Sequence, residues 1–217
     1  MTHLGPTTES LEPELPDLRT AYQARVKSGL ARKRLALCGD PEAKRCATGR
    51  FLVVGDVLLV RDQVGGLVSA SFVNADGMGR EGWVRKDGIQ RLSDDFGANS
   101  SWAGNWVSHD GRDPRFISVL QHERQRECAV KGDATFGQNG PWRVEHGGVN
   151  LGDFSGRFVV HGDQAKFIES EAADEAFNCK VAFRKMGLFL IVADNRQCGG
   201  RQVNFDGVYR KMAELRK

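Results

Sequence analysis

Phe51-Leu52-Val53-Val54-Gly55-Asp56-Val57-Leu58-Leu59-Val60 is a pair of short apolar runs around a Gly-Asp step. Each run is too short for a helix, carries valine or leucine throughout and is bounded by turn formers, which is the reading of a buried strand. The pattern repeats downstream. Gly65-Gly66 supplies a turn, residues 67–72 read as a strand, and a loop with Asn74, Asp76, Gly77 and Gly79 leads to Gly82-Trp83-Val84, then Ile89 and Leu92. About five short strands with glycine turns predict a small barrel over residues 50–92.

On the upstream side, residues 1–16 are acidic and punctuated by Pro6, Pro13 and Pro16, and read as a disordered tail. From 17 to 37 the spacing of Leu18, Tyr22, Val26, Leu30 and Leu37 predicts an amphipathic helix. Its other faces are basic, with Arg19, Arg25, Lys27, Arg32, Lys33 and Arg34, and Asp17 stands at its start as a cap. The helix and the cysteine loop after it occupy residues 17–49.

Downstream, 93–101 is a polar linker and 102–212 a second all-β region, followed by a short tail, 213–217. Strand candidates lie at 104–109, 115–122, 127–134, 142–146, 156–161, 165–170, 178–184, 188–193 and 203–210, with Val119, Val130, Val144, Phe158, Phe167, Phe183, Leu188, Leu190 and Phe205 among the inner layer. The fold class expected is therefore mainly β: an N-terminal helix, a small barrel, and a larger antiparallel barrel of eight or nine strands.

The 217 residues, 40% hydrophobic and 27% charged, suit one large or two small globular domains, and the 26 scattered glycines fit many turns. No run approaches the roughly 18–20 apolar residues of a spanning helix. A net charge of +3 gives no basic stripe for nucleic acid. No phosphate loop, paired CxxC or HExxH is present, so neither a cofactor nor a metal is expected. His109, His122, His146 and His161 fall on different strands of one domain, no serine lies in a nucleophile elbow and no cysteine beside an evident base, and no enzymatic activity is expected.

Five cysteines leave at least one unpaired. Local pairing predicts Cys38 with Cys46 and Cys179 with Cys198, leaving Cys128 reduced within a strand. Such bonds place the protein in the periplasm or outside the cell. The first 17 residues have no apolar stretch, so an export signal is expected to have been removed from this form of the chain.

Gly55-Asp56, Gly65-Gly66-Leu67 and Gly82-Trp83-Val84 with Ile89 and Leu92 resemble a bacterial SH3-like domain. That resemblance implies binding of cell-wall peptides or proteins, or support of a neighbouring domain. Leu67 stands where the family usually has an aromatic residue, and Trp83 is expected in the barrel core. Gly104-Asn105-Trp106, together with Phe205-Asp206-Gly207-Val208-Tyr209-Arg210, resembles the lipocalin-like, or calycin, pattern. There the tryptophan closes one barrel end beneath an arginine of the last strand, roles that fall on Trp106 and Arg210. Small β-barrel inhibitors of lysozyme are similar in size, secretion and disulfide use.

Asp194-Asn195-Arg196-Gln197-Cys198-Gly199-Gly200 concentrates turn formers between two apolar strands. It is either a disulfide-pinned hairpin loop or a protruding loop that enters a partner's cleft. Asp194, Asn195, Arg196 and Gln197 are the first candidate partner-binding residues, and Asn74, Asp76 and Arg80 the second. The expectation is a non-catalytic envelope protein, an inhibitor or immunity protein against a peptidoglycan-degrading enzyme. Its partner would be an envelope protein or a cell-wall peptide. A carrier of a small apolar ligand in the second barrel, or an architectural cell-wall-binding module, is the alternative.

Overall fold

The computed structural model describes residues 12–16, 20–30, 33–42, 49–74, 77–93, 101–108, 113–121, 126–138, 140–169 and 178–212, with backbone alone at 141–142. Among them the chain is mainly β, in two units. The first is an antiparallel sheet of five strands, β1 (Tyr22–Val26), β4 (Val57–Val64), β5 (Leu67–Val73), β6 (Gly79–Arg85) and β7 (Ile89–Arg91). Their order is β6-β5-β4-β1-β7, and a two-stranded ribbon of β2 (Arg34–Ala36) and β3 (Phe51–Val53) lies beside them. A 3-10 turn, Lys86–Gly88, precedes β7. Ala24, Val26, Leu35, Leu37, Leu52, Leu58, Val60, Val68 and Val84 make its core.

The second unit is a closed barrel of eight antiparallel strands: β8 (Gly104–Ser108), β9 (Arg115–Gln121), β10 (Glu127–Phe136), β11 (Asn150–His161), β12 (Gln164–Ile168), β13 (Lys180–Met186), β14 (Phe189–Asp194) and β15 (Gly207–Lys211). Each strand pairs with the next in sequence, and β15 returns to β8 through Arg210↔Val107 and Lys211↔Trp106. Alternation is strict along β9 and most of β10, where every second residue is buried, as the twofold pleat requires. The interior is filled by rings. Phe154 lies 5.1 Å from Phe167 and 4.8 Å from Phe205, and Phe158 lies 5.3 Å from Phe183. Gly132 makes room for this stack: a Cβ there would sit 2.2 Å from the Phe154 ring.

The N-terminal helix gives way to strands. A spacing of four, as in Tyr22 and Val26, is about one helical turn but also two strand repeats. Ala24, fully buried between them, follows the strand period, and Gly29 lies where a helix would have had its interior. β1 inserts between β4 and β7, so the first sheet begins near residue 22 rather than 50. Residues 142–146 are likewise not a strand. A short helix, Pro141–Glu145, opens on a proline, which has no N–H to leave unsatisfied in a first turn, and Val144 is exposed rather than in the inner layer. Leu188 is exposed too, in the β13–β14 turn. Of the linker expected at 93–101, residues 94–100 lie outside the described residues, as does the tail at 213–217.

The units share a third core. Val57 and Leu59 from the sheet meet Met186, Phe189 and Ile191 from the barrel, with Leu15, Ala21, Leu92 and Val208 packed against them. The Gln23 amide, buried, donates to the Met186 carbonyl, and the Arg210 guanidinium donates to the Val73 carbonyl at 2.7 Å.

Candidate functional site

Asp194 ends β14 and is 8% exposed. One of its carboxylate oxygens accepts from the Phe205 N–H at 2.8 Å and the other from the Arg196 N–H at 3.1 Å. Burial raises its pKa, against the lowering effect of the Phe205 N–H. Asn195, 5% exposed, accepts from the Lys180 and Gln197 N–H groups and donates to the Asn178 carbonyl at 2.8 Å. The Cys179–Cys198 disulfide closes the same turn. Asp194 and Asn195 are therefore the internal frame of the loop, not its contact surface, because their polar atoms face the backbone they hold. Arg196 and Gln197 are exposed at its tip. The loop lies against the start of β11, where the Gly200 N–H donates to the Leu151 carbonyl at 2.9 Å, so it does not protrude.

In the second candidate loop, Asn74 accepts from the Met78 N–H at 2.7 Å and shapes a tight turn. Asp76 lies outside the described residues. Arg80 is exposed at the start of β6. Trp83 is half-buried rather than in the core, which Val84 occupies; its backbone exchanges hydrogen bonds of 2.7 and 2.8 Å with Cys38. Cys38 is disulfide-bonded, while Cys46 lies outside the described residues. Cys128 is a buried free thiol, and burial raises its pKa.

Trp106 is fully buried and its indole N–H faces the Trp102 carbonyl at 3.4 Å. The cation over its ring is Lys211, with Nζ 5.7 Å from the centroid, and not Arg210. Tyr209 and Lys211 face inward, so Arg210 between them faces out toward the sheet. A second lysine, Lys185, is buried at the same end. Burial, and then the charge of Lys211, lower its pKa to about 8.

Of the sequence candidates, Arg80 lines a cleft that the 194–197 loop reaches only through its partner Asp206. This cleft, of about 720 Å³, opens between the units. The sheet side supplies Arg50, Phe72, Arg80 and Glu81, and the barrel side Ser108, Asp206 and Val208. Asp206 is where the loop reaches it: one carboxylate oxygen accepts from the Asp194 N–H at 2.8 Å and the other pairs with Arg196 at 3.0 Å. Behind this wall, the buried Arg115 donates to the Asp206 carbonyl, and the Tyr209 hydroxyl donates to the Phe205 carbonyl at 2.9 Å. Burial raises the Tyr209 pKa well above the phenol range, so it acts as a neutral donor. Gly207 permits the approach, having a φ of +144° and the Arg115 guanidinium 3.3 Å from where a Cβ would stand.

On the opposite wall, one Glu81 carboxylate oxygen accepts from Ser71 at 3.0 Å and from Arg61 at 3.2 Å. Both acids of the cleft are thus held by internal donors. Among the described residues, the side chains of Arg50 and Arg80 make no hydrogen bond, ion pair or ring contact. Asp206 and Arg50, which sequence reasoning missed, carry no local signal; only Asp206-Gly207 before the last strand marked a turn.

Among the described residues, no three His, Cys, Asp or Glu side chains are grouped so as to hold a metal ion. No helix there is long and apolar enough to cross a membrane. Comparison with protein-family models, with curated proteins and with solved structures gives no significant match.

Proposed function

We propose that the protein is a non-catalytic binding protein of the cell envelope that holds a protein partner in the cleft between its two units, and that the partner is a peptidoglycan-degrading enzyme it inhibits. The observation that carries this reading is that Arg80 and Asp206, the latter tied to Arg196, line one cleft whose two walls are fixed to each other by a shared apolar core. A preorganised cleft of this kind lowers the ordering cost of binding. The disulfide is compatible with an oxidising compartment. The ring-filled interior favours this reading over a carrier of apolar ligands, because a ligand would have to displace several packed aromatic side chains.

The strand order β7-β1-β4-β5-β6, with a 3-10 turn before the last strand, supports the SH3-like comparison for the first unit. A closed meander of eight strands with Trp106 at one end supports the calycin-like comparison for the second.

The test places a photo-reactive residue at Glu81, in the cleft, and another at Leu120, on an outward-facing position of β9 away from it. Cross-linking in envelope extract is expected from position 81 and not from 120, and the captured enzyme is expected to lose activity on cell-wall suspensions when the protein is added. Capture from position 120 alone, or undiminished lysis, would refute the proposal.

A further inference from the structure

The charged side chains of the cleft bear on the chemistry of what enters it. Among the described residues four charged side chains line it, Arg50, Arg80, Glu81 and Asp206. Glu81 is held by Ser71 and Arg61, and Asp206 by Arg196 and the Asp194 N–H. Arg50 and Arg80 are both exposed and hold no partner among the described residues. The uncommitted charge of the cleft is therefore that of two guanidinium groups. Beside them lie Phe72 and Val208, both half-buried, whose side chains have no hydrogen bond to offer.

We infer that the cleft receives a segment of a protein partner that bears clustered Asp or Glu side chains alternating with apolar ones. This rests on reading the cleft as the binding site. Guanidinium is the side chain best matched to a carboxylate, since its fork offers two parallel N–H donors to two oxygens. Apolar side chains lining the same cleft as two such forks suit an extended segment, whose side chains alternate along its length. A basic segment would meet Arg50 and Arg80 with like charge and no acid free to answer it, because the two carboxylates already have donors. A free phosphate would satisfy the arginines and leave the apolar side chains in water.

Four probes separate these cases. They are a fluorescein-labelled decapeptide of alternating Glu and Val, the same peptide with Lys or with Gln for Glu, and inorganic phosphate as competitor. The Glu/Val peptide is expected to bind, and the Lys/Val and Gln/Val peptides at least about tenfold more weakly. The Arg50→Glu/Arg80→Glu variant is expected to weaken the Glu/Val peptide by about tenfold or more, with an unchanged melting curve. Arg85→Glu, which removes an exposed arginine already paired with Asp87, is the control and should shift binding by less than about twofold.

Equal binding of the Lys/Val peptide, equal loss in Arg85→Glu, or no binding of the Glu/Val peptide at about 1 mM overturns the inference. Displacement of the peptide by phosphate at about 1 mM overturns it in favour of a free anion. The cross-link from position 81 keeps the two proposals apart. A cross-linked partner that survives Arg50→Glu/Arg80→Glu means the cleft binds but not through these arginines. Peptide binding without any envelope partner means the charge reading holds and the inhibitor reading does not.

Discussion

The barrel interior is aromatic, with Trp106, Phe154, Phe158, Phe167, Phe183, Phe205 and Tyr209 buried, whereas the sheet core is aliphatic, with Ala24, Val26, Leu58, Val60, Val68, Ala70 and Val84. The difference follows from closure. Eight strands enclose a volume that side chains must fill from within, and rings do this with fewest residues. An open sheet has only to be covered. The ribbon of β2 and β3 supplies Leu35 and Leu52 on one face, and the barrel supplies Met186, Phe189 and Ile191 on the other. The barrel is packed from inside; the sheet depends in part on its neighbour.

The largest expected effect tests that distinction directly. Trp106→Ala should destabilise by about 3–5 kcal/mol, while Val84→Ala in the sheet core should cost about 2 kcal/mol, each read from denaturant titration. Equal costs would break the contrast between a ring-filled and an aliphatic core.

The Cys179–Cys198 bond belongs to the barrel alone. Replacing both cysteines by serine should cost about 3 kcal/mol, as expected for a loop of this length, and the loss should appear in the barrel's near-ultraviolet signal rather than the sheet's amide protection. A uniform loss in both units would mean that they unfold as one.

The third prediction is a pH effect at the Trp106 end. Lys185 has a folded pKa of about 8, below its ordinary value of 10.5. Between those values the unfolded chain binds more protons than the folded one, so stability rises with pH. Below about pH 8 the penalty is present in full, and above about 10.5 it is gone. Relative to Lys185→Met, the wild type should gain about 2 kcal/mol between pH 7.5 and 9.5. Parallel pH profiles for the two proteins would place Lys185 in solvent.

The smallest effect is expected at the loop tip. Arg196→Ala with Gln197→Ala should change stability by less than about 0.5 kcal/mol, since the Arg196–Asp206 pair is mostly exposed. Asn195→Ala, two positions before Gln197, should cost about 2 kcal/mol, because it leaves buried N–H groups without an acceptor. Thermal melts of the two variants sharpen the contrast between tip and frame within a single turn.

The strands of both units were legible wherever period two ran unbroken, as in 115–121, or where a glycine turn separated two apolar runs, as at 51–60. The Cys179–Cys198 pairing was legible from the hairpin it closes. The helix expected over 17–37 failed because Tyr22 and Val26 fit either period and only sheet pairing decided between them. Arg210 was placed over Trp106 when the inward position is one residue on, and a shift of one reverses every side chain of a strand. Exposure of Asp194 and Asn195 was misjudged for a different reason. Turn-forming side chains serve the turn by bonding its backbone, which buries them. The cleft itself was beyond reach of any local pattern. Arg50, Arg80 and Asp206 line one cleft only because the two units pack against each other.

The seam of the barrel has a consequence for how the chain acquires its shape. Trp106 and Lys211 are paired across roughly a hundred residues of sequence, a high contact order that slows folding. As the chain emerges from a ribosome or a translocation pore, β8 to β14 can form a meander, but its first strand keeps an open edge until β15 arrives. During that interval Cys179 and Cys198 are already out and the interior rings face water. An oxidant or a chaperone that acts on the open meander therefore meets a species that the finished barrel no longer displays. The step that ends this exposure is the docking of five residues, Gly207–Lys211, against both β14 and β8.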